Sequence, residues 1–144
     1  MTKQLIKKIQ SRIIFFEVKT KEQKCLHLVT IATDFFEKKK PLLFKLSSKQ
    51  GLDYLDRLLW AYPKNSFLPH SIQENPCEEL IVLTTSDENL NRAHAIFNLS
   101  LNPISDFSYR QIYEFEDMTS SEKHAISQKR YQTYKTAGCF IVSL

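Results

Sequence analysis

Hydrophobic positions along the chain change period several times, and each change marks an element. RIIFFEV, Arg12 to Val18, is short, rich in β-branched and aromatic residues, and apolar on both faces. That pattern predicts a strand buried in a parallel or mixed sheet. In the following KTKEQKCLHLVTIATDFFEKKK, Cys25, Val29, Ala32 and Phe36 recur at helical spacing, and Leu28, Ile31 and Phe35 widen the stripe. Lys38, Lys39 and Lys40 fall at the C-terminal end of that helix, where positive charge offsets the helix dipole, and Pro41 stops it. The lysine run therefore reads as a solvated helix end rather than a binding patch.

PLLFKL predicts a second strand, and Ser47 or Ser48 can cap a second helix along which Leu52, Leu55, Leu59 and Tyr62 form a stripe, ending at Pro63. Further strands are expected over Glu79 to Thr85, Ala93 to Leu101 and Arg110 to Asp117. A last helix opens where Thr119 and Glu122 have capping-box spacing, and stops at Gly138. The order β-α-β-α-β, then two strands, then a helix, predicts a single three-layer α/β domain over residues 1–144, with helices on both faces of a mixed, mostly parallel sheet. The topology is Rossmann-like, and the closely spaced later strands leave room for antiparallel pairing.

Composition narrows the chemistry. With 42% hydrophobic and 25% charged residues among 144, the chain has a globular profile, and its net charge of +4 falls short of a DNA-coating protein. Cys25, Cys77 and Cys139 lie far apart and are odd in number, so neither a zinc site nor a disulfide framework is supported and reduced thiols are expected. The apolar run after the basic N-terminus, Ile13 to Phe16, is too short for a signal-peptide core or a membrane span. A soluble cytoplasmic protein is expected.

A phosphate cradle after the first strand needs a glycine-rich turn, but the two glycines are Gly51 and Gly138, and the actual connection is KTKEQK. His27, His70, His94 and His124 have no ligand spacing, and no nucleophile elbow or triad order appears. No catalytic residue, cofactor or metal is expected.

Two stretches remain that suit partners. In LLWAYPKNSFLPH, Leu58 to His70, Pro63 and Pro69 bracket a stiff turn that follows Trp60 at the helix end. This makes Trp60, Phe67 and Leu68 suitable for a preformed apolar surface that contacts another protein, with Trp60 partly packed on the domain. On the last helix, Lys123, Lys129, Arg130 and Lys135 interleave with Tyr131 and Tyr134, a combination suited to an acidic partner with an apolar anchor. The alternative use of those tyrosines and lysines is direct binding of single-stranded nucleic acid.

At these two segments the sequence resembles the chi subunit family of bacterial DNA polymerase III. Trp60, Pro63, Ser66, Phe67, Pro69 and His70 fall in register with one family motif, and RYQTYKTAG, Arg130 to Gly138, with a second. The resemblance implies a non-catalytic accessory subunit of the clamp-loader assembly, with an α/β fold related to nucleotide-binding proteins but binding no nucleotide. It implies two partners: the psi subunit, and the acidic C-terminal tail of single-stranded DNA-binding protein, which ends in an apolar residue and a free carboxylate. Contact with nucleic acid would then be mainly indirect, and no membrane is involved. Carried over, the tail site would lie along the last helix, with Tyr131 and nearby Lys123 and Arg130 lining it. Where the family pattern has cationic side chains, this chain has His124, Gln128 and Gln132. The neighbouring cations are turned away by roughly 100° per residue. The implied tail site is weaker, shifted, or pH-dependent through His124.

Overall fold

The computed structural model describes residues 11–62 and 68–144. Among these residues, seven strands form one sheet in the order β3-β4-β2-β5-β6-β1-β7. They are β1 (Arg12–Val18), β2 (Leu42–Leu46), β3 (Ser71–Ile72), β4 (Ile81–Thr84), β5 (Ala95–Leu99), β6 (Gln111–Asp117) and β7 (Phe140–Ser143). The helices are α1 (Lys21–Glu37), α2 (Lys49–Ala61) and α3 (Ser121–Thr136). Every pairing among the described residues is parallel. The antiparallel pairs allowed for the later strands do not form, because each loop after β4 and β5 carries the chain back to the starting end of the strands before the next strand begins.

Alternating strand residues feed two cores. Val18, Phe44, Leu83, Phe97 and Phe115 pack under Leu28, Val29 and Ala32 of α1 and Leu52, Leu55 and Leu59 of α2. On the other face, Ile13, Phe15, Leu43, Val82, Ile96 and Ile112 meet Tyr134 of α3 and Leu90, Ala93 and Tyr109 from the two strand connections. Connections toward β3 thus cross one face and those toward β7 cross the other, so all crossovers share one hand, the condition twisted parallel strands impose.

Local chemistry sets the helix ends. Ser48 caps α2 by accepting from the Gly51 amide at 3.1 Å, one of the two serines expected. Tyr62 does not continue the α2 stripe. The helix ends at Ala61, and Tyr62 is 40% exposed. α3 is capped by Ser120, which accepts from Lys123 N–H, rather than by Thr119. The Thr119 hydroxyl instead donates to the Asp117 carboxylate. At the far end Gly138 has φ +80 and the Cys139 amide donates to Tyr134, a left-handed closing turn that suits glycine. α1 closes the same way without glycine. Lys39 has φ 57, its amide donates to Phe36, and the Lys40 amide donates to Phe35.

Candidate functional site

The first β–α turn is filled by its own side chains. Thr20 Oγ1 accepts from the Gln23 amide at 3.1 Å, and Gln23 Oε1 accepts from the Lys19 amide at 2.7 Å. An anion at this helix start would have to displace those bonds. Clefts lie instead on either side of α3 and at both ends of the strands. One of about 500 Å³, at the C-terminal ends of β2, β4 and β5, is bounded by Lys45, Ser86, Asp87 and Asn102.

The residues anticipated on α3 separate onto different surfaces. A cleft of about 530 Å³ runs between α3 and the strands beneath it, lined by Phe15, Glu116, Gln128, Tyr131, Gln132 and Ser143. Tyr131 is half-buried there, its ring edge-on to Phe15 with centroids 5.4 Å apart. His124 Nε2 lies 3.2 Å from Glu116 Oε2 at the cleft's margin. Lys123 is exposed and borders a second cleft, with Leu28, Leu55, Leu101, Ile126 and Arg130, on the other side of the helix.

Arg130 points inward. Its Nε donates to Glu114 Oε1 at 2.9 Å, the two side chains being 9% and 0% exposed. Glu114 also accepts from Tyr134 at 2.6 Å and from Asn98 Nδ2 at 2.7 Å. Burial pushes the Glu114 carboxyl upward, while Arg130, Tyr134 and Asn98 draw it back by charge and hydrogen bonding. Burial and the neighbouring Glu114 charge push the Tyr134 phenol upward too. Sequence reasoning missed this cluster. A carboxylate at position 114 of a strand flanked on both sides had to find a buried cation, and Arg130, sixteen residues on, is that cation.

The second anticipated surface is partly present. Trp60 is 43% exposed and packs on the His70 ring, centroids 4.4 Å apart. His70 is itself held by Asp56 at 2.8 Å and by the Leu68 carbonyl at 2.7 Å. Leu68 is 5% exposed and belongs to the core beneath α1 and α2, so it offers no surface. Phe67, with Pro63 and Ser66, lies outside the described residues. His27 stacks on Phe16 at 4.6 Å, a packing residue whose imidazole burial pulls downward.

A parallel α/β fold whose first β–α turn is closed by its own side chains is the class these features define. The chain belongs to the DNA polymerase III chi subunit (HolC) family, whose model matches residues 11–141. Membership gives it an accessory role in the DNA polymerase III assembly of the replisome. A comparison with curated proteins gives no match. Among the described residues no helix is long and apolar enough to cross a membrane.

Proposed function

We propose that this chain is a non-catalytic, cytoplasmic adaptor in one domain that ties the polymerase assembly to single-stranded DNA-binding protein by holding that protein's acidic, apolar-ended C-terminal tail. The observation that carries the reading is the cleft beside α3, where Tyr131 and Phe15 form an apolar wall and Gln128, Gln132 and Ser143 supply uncharged hydrogen-bonding groups. A terminal apolar side chain fits against the rings, and its carboxylate finds amide and hydroxyl donors. His124 stands at the margin and Lys123 one residue further round the helix, while Arg130 acts from inside by fixing α3 to β6.

The exposed Trp60, with Phe67 close by in sequence, supports a second contact, for the psi subunit of the clamp-loader assembly. Linking two partners in this way raises the effective concentration of polymerase at coated single strands without any new chemistry.

The test is fluorescence anisotropy of a labelled tail peptide with and without its terminal apolar residue. Salt-sensitive binding that needs that residue supports the reading. Equal binding of both peptides, or of neither, overturns it.

A further inference from the structure

The N-terminal ends of three adjacent strands carry a row of basic side chains. Arg12 opens β1 directly beside Gln111 of β6, and its amide donates to the Arg110 carbonyl at 2.9 Å. Arg110 in turn donates its own amide to the His94 carbonyl at 2.7 Å, at the entrance of β5. His94, Arg110 and Arg12 therefore sit side by side at about 4.8 Å per strand. The end of α1 hangs over this row and encloses a cleft of about 720 Å³, whose lining adds Lys38 and Lys40. Its floor is aromatic. Phe35 and Tyr113 meet edge-on at 6.2 Å, and Tyr113 lies close enough to Arg12 and Asp34 for both charges to act on its phenol.

The charge of this cleft is lopsided, with four cations against the carboxylate of Asp34. Asp34 pairs with Lys38 at 3.2 Å and offsets that one cation, which leaves Arg12, Lys40 and Arg110 as the cleft's excess of positive charge. Beyond Lys38, the helix end closes without lysine side chains. Backbone amides of Lys39 and Lys40 already close onto Phe36 and Phe35, which leaves the Lys40 ammonium available to another anion. Cations ranged along a groove beside partly exposed rings suit a single-stranded nucleic acid, its phosphates meeting guanidinium and ammonium groups, and here the half-buried Phe35 and Tyr113 supply the apolar floor. On α3 the same ingredients do not assemble, because Arg130 is buried against Glu114.

We infer that the cleft formed by Arg12, Lys38, Lys40 and Arg110 is a binding site for the backbone of single-stranded nucleic acid. The site lies at the opposite end of the strands from the position where doubly wound folds hold nucleotides, and is separate from the α3 cleft.

The experiment is anisotropy of fluorescein-labelled oligo-dT and oligo-rU with the full chain, across a salt series. Two double variants of equal charge change are compared: K40Q/R110Q in the cleft, and K21Q/K129Q elsewhere, each shown by thermal unfolding to be folded. The parent should bind with a log–log salt slope of about −2 to −3, from roughly 0.7 per neutralised phosphate. The cleft variant should bind about tenfold more weakly at low salt with a slope shallower by about 1.4, and the control should match the parent. Binding of either strand type supports the site, and the tighter one names its source. No oligonucleotide binding at low salt, an equal loss in both variants, or preference for labelled poly-glutamate over both strands overturns it.

Discussion

The guanidinium of Arg130 meets the carboxylate of Glu114 at 2.9 Å with both side chains almost wholly enclosed, and this pair joins α3 to the sheet beneath it. Two further donors, from Tyr134 and Asn98, complete the carboxylate's shell. Removing one partner strands a buried charge. Glu114→Ala or Arg130→Ala should each cost about 3–5 kcal/mol of stability, measured by urea denaturation. A joint replacement by leucine and methionine should cost much less than the sum of the two single losses. A single-variant loss below about 1 kcal/mol, the range of exposed pairs, would mean the pair is solvated.

That pair also explains what the sequence concealed. β1 was legible to the residue and α1 as an element, because a doubly buried strand and an amphipathic helix leave different periods in their apolar residues. α1 ends at Glu37, however, and the three lysines expected in its last turn lie beyond it. α3 leaves no such period, since its buried positions are Ser127, Arg130 and Tyr134. A helix that docks through polar groups looks solvated on both sides, so Arg130 read as a surface cation. β3 and β7 were missed for another reason. Two residues, and four residues at a half-exposed edge, are too short to show alternation.

Tail binding should respond to the charge of the α3 cleft. Glu116 contributes a carboxylate to a cleft proposed to take an acidic peptide. Glu116→Gln should tighten the tail peptide severalfold at low salt, and Gln128→Arg with Gln132→Lys by about tenfold, by adding charge-assisted contacts. Anisotropy checks both, and unchanged affinity in each would place the tail elsewhere.

Lys39 occupies a left-handed conformation that favours glycine. Lys39→Gly should stabilise the fold by about 0.5–1 kcal/mol, whereas Gly138→Ala, at φ +80, should destabilise it by a similar amount. Thermal unfolding of the two variants gives the signs directly.

Asp117 predicts an acid-side dependence. Burial raises its carboxyl, but the Lys24 hydrogen bond at 2.7 Å and those from Thr119 outweigh burial and hold it below the usual aspartate range. A depressed carboxyl contributes stability that is complete above the unfolded value near pH 4 and is lost as pH falls through the folded value. The stability gap between parent and Asp117→Asn should therefore shrink steadily below about pH 4. A gap that stays constant in acid would show that Asp117 acts only through shape.

The most direct test of the adaptor reading is nitrogen–proton NMR of the labelled chain titrated with the tail peptide. The largest shifts should fall on Gln128, Tyr131, Gln132 and Ser143, and should vanish for the peptide lacking its terminal apolar residue. Shifts confined to the strand entrances at Arg12 and Arg110, or to the Trp60 end of α2, would contradict the α3 cleft as the place where the tail is held.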